Sequence, residues 1–198
     1  MAVQIVFETH QTTEDNEAGI ATGWLPGRLS ALGRRQAVEL GRRRRDDGVA
    51  AVFSSDLARA VETVDIAFAG CGVPVLLDWR LRECDYGELN GAPREQVHAD
   101  RLASLATPYP GGESWQQAVD RVGRFLGDVP TRWDGARVLV VGHVATQLGL
   151  DHHLRGTPVA EALSADFTWR PGWEYTLVTD DGPAGSAPPA PGARRGSG

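Results

Sequence analysis

The segment that most constrains the fold is RVLVVGH, at residues 137–143. Its short length and its β-branched residues predict a buried strand rather than an amphipathic helix. The run VQIVF at residues 3–7 has the same character. Strands of this kind are typical of parallel sheets that are covered by helices on both faces. The sequence therefore predicts an α/β protein.

Strand and helix patterns alternate along the rest of the chain. Further strands are predicted at residues 50–53, 73–77 and 173–179, and helices at about 31–46, after residue 56, from Ser114 and at about 145–155. The residues expected to face the core from the first two helices are Leu32, Ala37, Leu40, Leu57, Val61, Val64 and Phe68. This alternation predicts a three-layer sandwich, in which a mostly parallel central sheet has helices on both faces.

Two segments fall outside this alternation. Residues 78–113 lack clean periodicity and are long for a connection, which predicts a pocket or cap segment with one short helix near 94–105. Residues 180–198 contain almost no large apolar residue, so we expect a disordered tail. The predicted organisation is one domain over residues 1–179, followed by that tail.

The composition narrows the classes of function. A formal net charge of −6 gives no support for general nucleic-acid binding, and no apolar stretch is long enough to predict a membrane span. Cys71 and Cys84 have no CxxC spacing and are too few for a disulfide framework, which favours a cytoplasmic location. The basic run from Arg42 to Arg45 falls at the end of a predicted helix, where cations interact favourably with the helix dipole.

Several polar residues of catalytic type follow the predicted strands. His10 follows the first strand, His143 ends the strand at 137–142, Arg59 lies shortly after the second strand and Glu83 follows the third. In open α/β sheets, ligands bind beyond the carboxyl ends of the strands. Each residue alone is compatible with a structural role, but together they predict a site. The sequence has no nucleotide-binding glycine loop, no GxSxG motif and no metal-ligand cluster, so we expect no cofactor and no metal.

Six segments carry a more specific pattern: THQTTEDN at 9–16, GWLPGRLSALGRRQA at 23–37, SSDLARAVETV at 54–64, LRECDYGELNG at 81–91, PGGES at 110–114 and VLVVGHVAT at 138–146. They resemble, in the same order, motifs of the histidine phosphatase superfamily, which has the phosphoglycerate-mutase-like fold. The opening family motif, RHGxTxxN, is matched at His10, Thr13 and Asn16. The resemblance spans residues 3–155 and implies this fold for the chain.

The resemblance also implies a metal-independent phosphatase that acts on a small phosphorylated metabolite. His10 would be the nucleophile that forms a phosphohistidine, and His143 and Arg59 would bind the phosphoryl oxygens. Glu83 would act as general acid and then as general base. The other residues expected to contact the substrate are Thr9, Gln11, Thr13, Asn16, Gly23, Trp24, Arg28, Arg82, Tyr86 and Val144. The expected partner is a small molecule, and we expect no binding to nucleic acid or membranes. A homodimer is compatible with the sequence.

The sequence departs from the family motifs around both histidines. Thr9 stands where the motif has an arginine, and Gln11 stands where it has a glycine. Val144 and Ala145 replace a glycine pair, and Glu8 is a carboxylate where an apolar residue is usual. The first departure matters most for chemistry, because an arginine supplies a fixed fork of donors and a permanent charge that threonine lacks.

Three accounts of these departures remain open. In the first, the protein is still a phosphatase and Arg28 or Arg82 takes the place of the missing arginine. In the second, His10, His143 and Glu83 catalyse a different acid/base reaction on a small metabolite. In the third, the protein is an inactive, ligand-binding relative, although retention of all four catalytic candidates argues against this. We favour the phosphatase; a mutase would need a tight site for a phosphorylated intermediate, which nothing in the sequence specifies.

Overall fold

Strands and helices alternate along the part of the chain that the computed structural model describes, residues 1–165 and 167–178. The strands are β1 (Ala2–Thr9), β2 (Ile20–Ala21), β3 (Ala51–Ser54), β4 (Val75–Leu77), β5 (Ala92–Pro93), β6 (Arg137–Gly142) and β7 (Trp173–Val178). The α-helices are α1 (Glu14–Glu17), α2 (Ala31–Arg44), α3 (Ala58–Ala67), α4 (Arg94–Asp100), α5 (Trp115–Asp128), α6 (Pro130–Trp133), α7 (Val144–Arg155) and α8 (Val159–Ser164). The tail predicted at 180–198 lies outside the described residues.

The central sheet has five strands in the order β4-β3-β6-β1-β7. Four of them run parallel, and β7 pairs with β1 in the antiparallel sense. In the middle of the sheet Ile5 is paired with Val138, so the two most apolar runs of the sequence lie side by side. The prediction of a mostly parallel α/β sheet is confirmed.

Helices cover both faces of this sheet. Alternate strand residues such as Phe7 and Val140 pack on one face with Phe125 of α5. The intervening residues, such as Val6 and Leu139, pack on the other face with α2 and α3. This division follows from the period of two in a strand, which sends successive side chains to opposite faces.

Helix α2 packs through Ala37 and Leu40, as predicted, and through two glycines in place of the third predicted residue. Leu32 was predicted to face the core, but it is 42% exposed, and the prediction is wrong. The buried residues of α2 include Gly33 and Gly41. A Cβ on Gly33 would come within 1.9 Å of the carbonyl oxygen of Thr12, and one on Gly41 within 2.3 Å of that of Ala67. Close backbone approach at the glycines therefore selects the buried face.

The segment predicted as irregular contains more regular structure than expected. It includes two 3₁₀ turns, at Trp79–Leu81 and Gly87–Leu89, and the helix near 94–105 is the shorter α4. Strand β5 pairs with β2, which lies in the connection between β1 and α2. A small second sheet therefore joins these two segments beside the carboxyl edge of the main sheet.

The basic run at the end of α2 neutralises a buried carboxylate. The side chain of Glu8 is fully buried in β1, and Nε of Arg44 donates to its Oε1 at 2.9 Å. Nη2 of Arg43 lies 3.3 Å from Oε2 of the same carboxylate. Because neighbouring residues of a strand point to opposite faces, Glu8 and Thr9 are turned to different sides of the sheet. The unusual glutamate therefore forms part of the packing behind the strand.

We expect Glu8→Gln to lower the free energy of unfolding by about 1–3 kcal/mol, because it removes charge-assisted hydrogen bonds from a buried position. Urea unfolding followed by circular dichroism would measure this loss. The matched control is Glu39→Gln, which breaks the exposed pair with Arg42 and should change the stability by less than about 0.5 kcal/mol. Equal stabilities for the two variants would contradict a stabilising role for the buried pair.

No helix in the described part of the chain combines the length and the apolar character needed to cross a membrane.

Candidate active site

A cleft of about 750 Å³ opens at the carboxyl ends of β1, β3 and β6. All four catalytic candidates line it, namely His10, Arg59, Glu83 and His143. Six of the predicted substrate-contacting residues also line it: Thr9, Gln11, Asn16, Gly23, Tyr86 and Val144. The structure thus brings together side chains that are up to 135 residues apart in the sequence, because parallel strands deliver their last residues to one edge of the sheet.

The imidazole of His10 presents an unprotonated nitrogen toward Arg59. Its Nδ1 lies 2.8 Å from the carbonyl oxygen of Gln11, and since a carbonyl can only accept, Nδ1 carries the proton. Nε2 therefore holds the lone pair, and it accepts from Nε of Arg59 at 3.3 Å. Burial, together with the charge of Arg59, lowers the pKa of His10 to about 3. The ring is neutral at ordinary pH, as a nucleophilic nitrogen must be.

His143 is also held neutral on the other side of Arg59, but as the other tautomer. Its Nδ1 accepts from Nη2 of Arg59 at 3.3 Å, and Nε2 lies 2.9 Å from the hydroxyl oxygen of Ser55. The His143 and His10 rings are 4.9 Å apart, centroid to centroid. Burial and the charge of Arg59 hold the pKa of His143 well below its usual value. The cleft therefore contains two neutral imidazoles that both accept hydrogen bonds from Arg59.

Arg59 supplies the buried positive charge of the cleft. It lies in the first turn of α3 and is 2% exposed. Its Nη2 also donates to the carbonyl oxygen of Gly23 at 2.8 Å, which anchors the guanidinium across the base of the cleft. Burial lowers the pKa of Arg59, but an arginine stays protonated in proteins. Its charge makes the site suitable for an anionic group.

Glu83 is a buried carboxyl group that faces the same cleft. Its Oε1 accepts from the backbone N–H groups of Cys84 at 2.9 Å and of Ala145 at 3.1 Å. Burial raises the pKa of Glu83, and the positive charge of Arg59 opposes this effect only in part. A carboxyl group with a raised pKa is suited to donate a proton and to take one back.

Arg121 positions the segment that carries Glu83, and the sequence did not reveal it. Its Nη1 donates to the carbonyl oxygens of Arg80 and Arg82 at 2.8 and 2.7 Å, and its Nη2 donates to that of Glu83 at 2.8 Å. The Glu113 carboxylate balances the charge at 2.6 Å. An arginine on the otherwise apolar face of α5 is the sequence signal that could have identified this residue.

Thr9 and Gln11 close the cleft where the family motif has an arginine and a glycine. The Gln11 side chain is buried and folds back, so that Nε2 donates to the carbonyl oxygen of Thr9 at 3.1 Å. The backbone N–H of Gln11 donates to the hydroxyl of Thr63 at 3.1 Å. The loop after His10 is therefore held by an amide side chain, without a second guanidinium at this position.

Four predicted substrate-contacting residues do not line the cleft. Thr13 caps α1, and Trp24 donates from its indole to the carbonyl oxygen of Glu83 at 2.6 Å. Arg82 makes two hydrogen bonds of 2.6 Å to Asp56, and the exposed Arg28 pairs with Glu14. Both arginines are engaged elsewhere in this structure, so neither occupies the place of the missing arginine.

Among the described residues, Arg94 is the other arginine that lines the cleft. Its Nη2 donates to the carbonyl oxygen of Asn16 at 3.1 Å, and His98 follows one helical turn later on α4. Phe167 and Trp169 line the outer part of the cleft. The sequence pattern did not identify these residues, because none belongs to a motif and only the tertiary fold brings them to His10.

Within residues 1–165 and 167–178, no three His, Cys, Asp or Glu side chains are placed to hold a metal ion.

The chain is similar to one protein family and to several solved structures. Residues 5–172 match the family model of the histidine phosphatase superfamily (branch 1). The probable phosphoglycerate mutase GpmB of Citrobacter koseri is 30% identical, over 90% of this chain and 93% of the relative. The structure of a mycobacterial glucosyl-3-phosphoglycerate phosphatase has a TM-score of 0.71 at 28% identity and covers 83% of this chain and 84% of its own. A putative alpha-ribazole-5'-P phosphatase from Escherichia coli has a TM-score of 0.71 at 25% identity, with the same coverage.

Proposed function

The chain belongs to the histidine phosphatase superfamily, and from this membership we propose that it hydrolyses a small phosphate monoester through a phosphohistidine on His10. The observation that carries the proposal is the lone pair on Nε2 of His10, which lies 3.3 Å from the Arg59 guanidinium in a buried cleft. A neutral nucleophile beside a fixed positive charge is suited to attack an anionic phosphoryl group. Relatives named as phosphatases support the same reaction class.

In the first step, Nε2 of His10 forms a bond to phosphorus while the bond from phosphorus to the ester oxygen breaks. The Glu83 carboxyl group gives its proton to the leaving oxygen, so the alcohol departs neutral. In the second step, the Glu83 carboxylate takes a proton from water, and the water oxygen forms a bond to phosphorus while the bond from phosphorus to Nε2 of His10 breaks. Inorganic phosphate leaves, and His10 and Glu83 return to their starting states.

Arg59 and His143 would stabilise the charge on the phosphoryl oxygens. The Arg59 donors that now reach the two imidazoles can turn to oxygens that enter between them. A bound dianion also favours the protonated form of His143, which would then donate from Nδ1. These interactions are strongest when charge builds up in the transition state, so they lower the barrier.

Neutral donors would complete the phosphoryl site in place of the missing arginine. Thr9, Gln11 and Asn16 surround His10 in the cleft, and their hydroxyl and amide groups can donate to an oxygen. Gly23, Tyr86 and Val144 would border the leaving group. The proposed reaction needs no cofactor, and we place the enzyme in the cytoplasm. The proposal predicts weaker phosphate binding than a site with two arginines.

The variant Thr9→Arg distinguishes two accounts of the site. In one, the protein is a phosphatase with a single arginine at the phosphoryl group; in the other, the site has been converted to another acid/base reaction. For the phosphatase, we expect kcat/KM on a panel of phosphate monoesters to rise about 10- to 100-fold, since a charge-assisted hydrogen bond contributes about 1.5–3 kcal/mol. Phosphate release would be measured for the native protein and for the variant.

Thr9→Met is the matched control, because it adds length without charge and should not raise the rate. If the native protein releases phosphate from no ester in the panel, the proposal is wrong. If Thr9→Arg abolishes an activity on a non-phosphorylated metabolite, the converted site is the correct account.

A further inference from the structure

The outer part of the cleft contains two aromatic side chains that solvent reaches. Phe167 is 45% exposed and Trp169 is 49% exposed, and both line the cleft that contains His10. Large aromatic side chains near the protein surface normally cover apolar area, so two of them at one cleft indicate a surface that a ligand would cover. Neither residue has a role in the phosphoryl chemistry proposed above.

The segment that carries these rings is anchored. The ring of Phe167 lies 6.1 Å from that of Trp173, centroid to centroid, and Trp173 is buried at the start of β7. The guanidinium of Arg170 lies 5.0 Å from the centre of the same indole. These contacts hold the Phe167 ring directly, and they fix the chain on both sides of Trp169. A planar side chain that is held in place loses little conformational entropy when a ligand stacks on it.

The rest of the cleft lining mixes apolar and polar side chains. Ile20, Ala21 and Val144 contribute carbon surfaces, and Thr22, Gln36 and His98 contribute polar groups. Arg94 and Glu17 contribute one positive and one negative charge. The cleft volume of about 750 Å³ lies in the range of pockets that hold drug-sized ligands, far more than a phosphoryl group needs. Because the charges of Arg94 and Glu17 are opposite, this lining leaves room for an uncharged part of a ligand beside the phosphoryl site.

We propose that Phe167 and Trp169 form a subsite for a flat, apolar ring on the leaving alcohol of the substrate. The substrate class is therefore a phosphate monoester whose alcohol carries such a ring. This inference rests on the proposed phosphatase function for its chemistry, but the ring subsite is a binding property that can be measured separately.

The test compares 3-phenylpropyl phosphate with propyl phosphate, because both have a primary alkyl leaving oxygen and differ only in the ring. We expect kcat/KM to be about 10-fold or more higher for the ring-bearing ester, mainly through a lower KM. In Trp169→Ala this preference should fall to less than about threefold, with kcat on propyl phosphate unchanged. Phe167→Ala should reduce the preference in the same way.

Trp79→Ala is the matched control, because Trp79 is 50% exposed but does not line the cleft. It should keep the full preference. The 3-cyclohexylpropyl ester should gain less than the phenyl ester, since its ring is not flat. Equal kcat/KM for the ring-bearing and ringless esters in the native protein would overturn the inference, as would an equal loss on both in Trp169→Ala.

Calorimetry with 3-phenylpropylphosphonate and propylphosphonate separates the two proposals. Tighter binding of the ring-bearing phosphonate, lost in Trp169→Ala, supports the subsite even if no ester is hydrolysed, in which case only the phosphatase function fails. If esters are hydrolysed and the two phosphonates bind equally, the phosphatase function stands and the ring subsite is wrong.

Discussion

A His10→Ala variant is expected to lose at least about 10³-fold in kcat on every ester that the native protein hydrolyses. The alanine removes the proposed nucleophilic nitrogen, whereas Arg59, His143 and Glu83 stay in place. The same variant should form no phosphoprotein. Native protein, mixed with substrate and quenched within milliseconds, should contain phosphate that is labile to acid and stable to base.

His153→Ala is the control for this prediction. His153 is exposed on α7, where its Nε2 reaches the carbonyl oxygen of Val119, and it does not line the cleft. That variant should keep both the activity and the phosphoprotein. If His10→Ala retains more than a tenth of the native rate, water attacks the ester directly and the covalent mechanism is wrong.

The sequence predicted the sheet well because its strongest signals are local. The apolar runs that became β1 and β6 needed no knowledge of distant residues, and their partner helices follow from alternation. The same logic predicted that His10 and His143 meet, because each follows a strand and parallel strands end at one edge. Their rings lie 4.9 Å apart in the structure.

Features that depend on residues far apart in the chain were harder to predict. Glu8 stood out as unusual, but its partners Arg43 and Arg44 lie at the far end of α2. No local sequence pattern indicates that this helix end packs against β1. Phe167 and Trp169 reach the cleft only because β7 returns to pair with β1. A motif search cannot find such residues, since their role comes from the path of the chain.

The error at Leu32 has a related physical cause. Periodicity arguments weigh residues by hydrophobicity, so they placed this leucine inside and ignored its neighbour Gly33. The structure buries Gly33 because the backbone of Thr12 passes too close for any side chain. Close backbone packing and the burial of apolar side chains therefore compete for the same helix face. At this end of α2, close backbone packing determines which residue is buried.

Glu83 combines a buried position with two backbone hydrogen bonds, and its substitution separates proton transfer from phosphoryl binding. We expect Glu83→Gln to lower kcat/KM about 10²- to 10⁴-fold on alkyl phosphates, whose leaving oxygen needs a proton. The loss should be much smaller on 4-nitrophenyl phosphate, whose leaving group departs as a stable anion. Glu88→Gln, on an exposed side chain of the same segment, is the matched control and should change neither rate.

The pH dependence provides a second readout of the same residue. The first step needs Glu83 protonated, so the native rate on alkyl phosphates should fall as pH rises through its raised pKa. His10 becomes protonated only near its pKa of about 3, so it should not limit the rate at moderately acidic pH. In Glu83→Gln the fall due to Glu83 should disappear, while the ionisation of the ester itself affects both proteins equally. An equal loss on alkyl and nitrophenyl esters, with an unchanged pH profile, would mean that Glu83 only supports the structure of the cleft.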